Sequence, residues 1–120
     1  MLVKKFQQEI FNDGVLIVLK AIDGIIYENL YENIRYGNRT FGAKRFYNAQ
    51  VAGITIDNMI AVPFCDFINR NDLIELHDFR TDKKEIYEIS VVQKKYDSIP
   101  ASIYLTLKKT DIEYVDKRNS

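Results

Sequence analysis

The side chains best equipped for intermolecular chemistry crowd into one stretch, "RYGNRTFGAKRFYNAQVAG", from Arg35 to Gly53. Arg35, Arg39, Lys44 and Arg45 carry positive charge, with the aromatic faces of Phe41, Phe46 and Tyr47 among them. No Asp or Glu occurs from Asn33 to Ile56, and three of the five glycines (Gly37, Gly42, Gly53) lie inside the stretch. Guanidinium and ammonium groups bind phosphate or carboxylate oxygens, and aromatic rings stack on bases or anchor protein contacts. Three readings stay open: a solvated loop with scattered charge, a nucleic-acid contact and a protein–protein contact. Loops longer than about 12–15 residues are usually functional or disordered. The aromatic content here argues against permanent disorder.

Elsewhere the parts of an active site are missing. His77 is the only histidine, sits beside a turn, and reads as a surface or turn residue rather than a catalyst. Cys65 is the only cysteine. It has no second thiol or nearby histidine for zinc or for a nucleophilic pair, and is expected as a small buried apolar residue after a strand. Asp111 and Glu113 fall in a polar stretch where no pocket would raise a carboxyl pKa. Gly37 and Gly42 fit neither a phosphate-binding loop nor a dinucleotide fingerprint. No catalytic residue, metal site or cofactor is expected.

Composition sets the frame for these residues. A chain of 120 residues, 47% hydrophobic, suits one domain with a single core. Seventeen cationic and seventeen acidic side chains cancel, so there is no global pull toward nucleic acid or an anionic membrane. One cysteine fits a reducing compartment. The start "MLVKKFQQEIF" lacks the apolar run of a secretory signal, and Val15–Leu19 is too short to span a bilayer. A soluble protein without membrane contact is expected.

The positioning elements are strands. "MIAVPF" places Ile60, Val62 and Phe64 on one face, with Pro63 marking an edge or an end. "NDLIEL", "EIYEISVVQKK" and "SIYLTLKK" alternate with period two and are joined by polar turns, which predicts an antiparallel meander. Tyr87, Ile89 and Val91, and then Ile103, Leu105 and Leu107, are expected inward. Tyr104, Thr106 and Lys108 are expected outward. "GVLIVLKAI" reads as a strand ending at the turn Asp23-Gly24. "IIYENLYENIRY" fits helical spacing, or a strand with Ile26, Leu30, Ile34 and Tyr36 on one face; the turn before it favours the strand. The expectation is an all-β, small antiparallel barrel of the SH3-like or OB-like kind with about six strands. It comprises an N-terminal arm (1–12), the barrel (13–109) with a long connector (37–57), and a polar C-terminal tail (110–120).

Several phrases resemble one group of proteins. "IRYGNRTFGAKRFYNA", "MIAVPF", "INRNDLIELHD" and "YEISVVQKKYDSIPASIYLTLKK" look like the head closure proteins of tailed bacteriophages, also called head completion, head–tail connector or stopper proteins. The likeness covers about residues 14 to 109. It implies a non-enzymatic virion protein at the neck, assembled in the host bacterial cytoplasm. Such proteins form rings, commonly of twelve or six copies, beneath the portal and its adaptor. The ring closes the DNA exit channel and docks the tail, so partners would include the tail completion or terminator protein. Packaged double-stranded DNA would lie close by, without sequence-specific contact. The resemblance implies that the connector residues Arg39, Phe41, Lys44, Arg45, Phe46 and Tyr47 face the channel or an adjoining ring. Arg35, Tyr31, Tyr104 and Tyr114 are candidate subunit contacts, with Tyr31, Tyr47 and Tyr104 expected to be exposed. A tail terminator or tail-completion protein, also a small ring-forming β protein, is the alternative. From another class, the alternative is an OB-type module binding single-stranded nucleic acid through Arg39, Lys44 and Arg45.

Overall fold

The computed structural model describes residues 7–8, 10–39, 58–96, 98–110 and 112–118. The connector residues Phe41, Lys44, Arg45, Phe46 and Tyr47 lie outside the described residues. The strands are β1 (Gln7–Gln8), β2 (Gly14–Ile22), β3 (Ile25–Arg39), β4 (Asn58–Pro63), β5 (Leu73–Asp78), β6 (Lys83–Lys95), β7 (Ser98–Ile99), β8 (Ser102–Lys109) and β9 (Val115–Asp116). Two antiparallel meanders, β2-β3-β4 and β5-β6-β8, join edge to edge through β2–β5 and β4–β8. The result is a barrel-like ring of six strands, which removes the open edges a flat sheet would present.

One hairpin turn sets the start of this ring. Asp23 and Gly24 both adopt positive φ, 52° and 79°. That is the twist a two-residue hairpin needs, and Asp-Gly is a favoured pair for it. Beyond the turn, the nine residues of β2 face the twelve from Ile25 to Tyr36, so β3 carries three extra residues at three register shifts. Each bulge bends the strand and resets which side faces inward. The single face expected for Ile26, Leu30, Ile34 and Tyr36 is therefore broken: Ile26 and Tyr36 are buried, while Leu30 is exposed.

The ring closes unevenly. Among the described residues the β3–β4 ladder has three residue pairs, from Gly37–Ala61 to Arg39–Met59. Pro63 lacks an N–H and ends β4, as its type requires. Phe64, expected on one face with Ile60 and Val62, comes after this stop and is exposed. Cys65 and Ile68 from the following loop instead pack against the interior.

The interior is built from alternating residues. Leu16 and Val18, Ile60 and Val62, Ile74 and Leu76, Tyr87 and Ile89, and Ile103, Leu105 and Leu107 form one cluster. Each such aliphatic side chain contributes roughly 1.5–3 kcal/mol on burial. On β6 the phase shifts once. Ile89 faces Leu107 and Val91 faces Thr106, leaving Ser90 as the extra residue of a bulge. Val92, not the expected Val91, then packs against the core.

Two outer faces are also covered. Tyr104 and Thr106, expected outward, lie on the far side of β8 from the core, yet both are buried, Tyr104 against the expectation that it is exposed. Phe11 packs against a cluster of Met59, Ala61 and Tyr104. At the other terminus, the stretch expected as a tail carries β9, which runs parallel to β3 and pairs Val115 with Ile25 and Asp116 with Ile26. Tyr114 packs on Leu19, Ile26 and Leu73.

Candidate functional site

The register places the two ends of the connector side by side. Arg39 ends β3, Asn58 starts β4, and Arg39 pairs with Met59. Gly37, Asn38 and Arg39, expected in the connector, belong to the strand. The same end of the barrel holds Gly14 opposite Tyr36 and Asp78, and Asp78 opposite Lys83. This is the connector mouth. Pro63, Leu73, Lys95 and Ser102 mark the opposite mouth.

Backbone and side-chain bonds fix the connector mouth. Asp13 donates its N–H to the Tyr36 carbonyl at 3.0 Å, and its own carbonyl accepts from Phe79 N at 3.0 Å. Its carboxylate Oδ2 accepts from Asn38 N at 2.7 Å. Tyr36 is fully buried there, and its hydroxyl meets no hydrogen-bond partner among the described residues. Burial, reinforced by the Asp78 and Asp13 carboxylates, pushes that phenol up to about 12. It remains a neutral hydroxyl at any physiological pH.

Arg39 is tied into the barrel. Its Nη1 donates to the Asn38 carbonyl at 2.7 Å and Nη2 to the Ile10 carbonyl at 3.2 Å. The guanidinium also lies 5.9 Å from the centre of the Tyr104 ring, which Lys95 Nζ approaches at 4.9 Å. Arg39 thus anchors the root of the connector and the N-terminal segment, a role that spacing alone did not suggest. Arg35 is exposed on β3 opposite Val15.

The tyrosines expected at a subunit contact separate into two groups. Tyr31 is exposed, with its ring 4.2 Å from Phe67. Tyr104 is only 6% exposed, and Tyr114 is half-buried against the barrel. These two hold the chain's own outer layers, because β8 and β5 carry apolar residues on both faces.

Sequence reasoning missed two features. At the opposite mouth Phe64 and Tyr96 pack at 5.4 Å, with Lys94 Nζ 5.8 Å from the Phe64 ring. On the outer face of β5, Arg118 Nη2 donates to Glu75 Oε2 and to Asp116 Oδ2, both at 2.7 Å. Its Nη1 donates to Asn29 Oδ1 at 3.1 Å. No short-range spacing signals that bond, since Arg118 and Glu75 lie far apart along the chain.

The residues with catalytic potential are otherwise engaged. His77 Nε2 lies 2.7 Å from Asp82 Oδ1, and its ring meets Phe79 edge-on, so it clips the β5–β6 turn. Burial raises the Cys65 thiol above its ordinary pKa. Among the described residues, no group of three His, Cys, Asp or Glu side chains is placed to hold a metal ion.

Comparison with protein-family models, with curated proteins and with solved structures finds no match.

Proposed function

We propose that this chain is a structural virion protein of the tailed-phage head–tail joint, forming a ring beneath the portal or its adaptor. The ring closes the DNA exit channel and docks the tail. The observation that carries the reading is the Arg39–Met59 pair at the root of the connector. It brings the two ends of the stretch 40–57 side by side at one mouth of the barrel, so the barrel holds both of its roots. That stretch carries Lys44 and Arg45 against one acid, Asp57, and three aromatic side chains, Phe41, Phe46 and Tyr47. A connector of this make-up suits contact with phosphates in a channel or with an adjoining ring.

Replacing residues 41–53 by a short Gly-Ser loop tests the reading. The expected result is a folded barrel with unchanged far-ultraviolet dichroism, and particles that lose packaged DNA or fail to join tails. An unfolded variant, or fully infectious particles, would contradict it.

A further inference from the structure

Apart from the main core, the barrel carries a smaller apolar cluster of Leu19, Ile26 and Leu73, flanked by the partly buried Ile17, Ala21 and Ile86. The C-terminal segment lies over it as an added strand. The Val115 and Lys117 N–H groups donate to the Gly24 and Ile26 carbonyls at 2.9 Å. Tyr114 packs on the cluster, and Arg118 reaches Glu75 and Asn29. Together these contacts make a seat for an extended chain. It offers a strand edge, an apolar wall for an aromatic ring, and a shielded carboxylate for a cation four residues further on. Main-chain bonds to a sheet edge, with pockets for side chains, are a general mode of peptide recognition.

The segment fills that seat incompletely. Its ladder with β3 has two residue pairs among the described residues, Val115–Ile25 and Asp116–Ile26. Tyr114 packs on the cluster, while Ile112 and Val115 are 60% and 57% exposed. Beside Tyr114 lies a cavity of about 220 Å³, whose lining includes Leu19, Leu73, Asp23, Asp72 and Glu88. Lys108 lies 3.7 Å from Glu88, Asp72 Oδ2 accepts from Asn69 N, and the exposed Arg70 precedes Asn71, another lining residue. Asp23 is exposed at the turn. On the segment itself Glu113 and Lys117 are both exposed. The cavity thus joins two leucines to carboxylates. A lysine or arginine side chain, apolar along its stem and cationic at its end, matches such a lining.

We infer that this seat is a docking site for an extended segment of a partner protein, which displaces the C-terminal segment of this chain. The partner segment pairs with the same β3 edge, sets an aromatic ring where Tyr114 sits, and places a lysine or arginine side chain in the cavity. A second copy of this chain does not meet that requirement: its C-terminal segment brings the same side chains and leaves the same cavity. Displacement opens the Arg118–Glu75 pair, whose side chains are only 13% and 14% exposed. That clasp therefore holds the seat against weak competitors.

Fluorescence anisotropy with the full chain tests this. The probes are a labelled peptide of residues 110–120 and four versions of it, carrying Asp111→Lys, Ile112→Lys, Glu113→Lys or Val115→Lys. The full-length variant Tyr114→Ala/Arg118→Ala frees the seat, with dichroism to check that the barrel is folded. The own-sequence peptide is expected to bind this variant about tenfold more tightly than wild type, and adding Glu75→Gln should cancel the gain. At least one lysine peptide is expected to bind about tenfold more tightly than the own sequence. On wild type that peptide should also remove the amide protection of Val115 and Lys117. No binding to the freed variant, or lysine peptides no better than the own sequence, would overturn the docking site. If the variant does not fold, the amide measurement on wild type decides alone, and protection that survives every peptide overturns it. A wild-type dimer in sedimentation velocity that Tyr114→Ala/Arg118→Ala converts to monomer would give the seat to a second copy and overturn the partner.

Discussion

The Arg118 guanidinium grips the Glu75 carboxylate at 2.7 and 3.4 Å, joining the C-terminal segment to the outer face of β5. The side chains are only 13% and 14% exposed, so this pair is shielded from solvent, unlike an ordinary surface ion pair. Arg118→Ala would leave Glu75 shielded without its partner. The expected loss is about 1–3 kcal/mol of unfolding free energy, read as a lower urea midpoint at constant slope. Adding Glu75→Gln to that variant should recover part of the loss, because the stranded charge is gone.

Acid should loosen the same clasp. Hydrogen bonds from Arg118 hold the Asp116 carboxyl at about 2, against an ordinary 3.8. The folded state therefore binds a proton less readily than the unfolded chain. The stabilisation from this group is complete above about pH 4 and disappears as pH falls toward 2. The protection of the Val115 and Lys117 amides against exchange, relative to an unstructured chain at the same pH, should fall across that window, their N–H groups bonding to the Gly24 and Ile26 carbonyls at 2.9 Å. Asp116→Asn should flatten the dependence.

Two glycines should respond differently to alanine. At Gly14 a Cβ would fall on the His77 carbonyl oxygen and lie 2.6 Å from Tyr36 Cε1. Neither strand can retreat without breaking a ladder, so Gly14→Ala should cost about 3 kcal/mol or more. At Gly24 the space is open, but φ is +79°. The cost there is conformational, about 1–2 kcal/mol. Thermal melts of the two variants should rank in that order.

Tyr36→Phe should be neutral or stabilising, which is unusual for a fully buried tyrosine. The hydroxyl it removes has no partner among the described residues, so no hydrogen bond is lost. The substitution also has a pH signature. The phenol ionises at about 12 when folded and at 10.0 ordinarily, so folding favours its neutral form. Its contribution is complete below about pH 10 and falls away between 10 and 12. A urea titration at several alkaline pH values should show wild type losing stability faster than the Phe variant.

The fold was legible where local chemistry decides it. Asp23-Gly24 specifies its turn, Pro63 stops its strand, and Ile103, Leu105 and Leu107 alternate into the core as period two requires. Legibility failed where an extra residue resets the phase. Ser90 moves the inward position from Val91 to Val92 with no distinctive residue type, and the bulges of β3 expose Leu30, with Asn33, of a type that tolerates its positive φ of 59°, in one of them. It failed also where distant segments meet. Tyr104 faces outward as read, but nothing near it in the sequence announces the Phe11 layer that buries it, and Arg118 gave no sign of Glu75. Of the candidate site, residues 40–57 lie outside the described residues, Gly37 to Arg39 proved to be strand, and the anchoring of Arg39 and the Phe64–Tyr96 surface required the register.

The most direct test of the proposed virion role is quantitative mass spectrometry of purified virions and of tail-less, DNA-filled heads from a tailed phage carrying the gene for this chain. A protein of the head–tail joint is expected in both, at a fixed low copy number close to that of the portal. Presence in free tails but not in tail-less heads would move the assignment to tail completion. Absence from all of these particles would contradict a structural role in the virion.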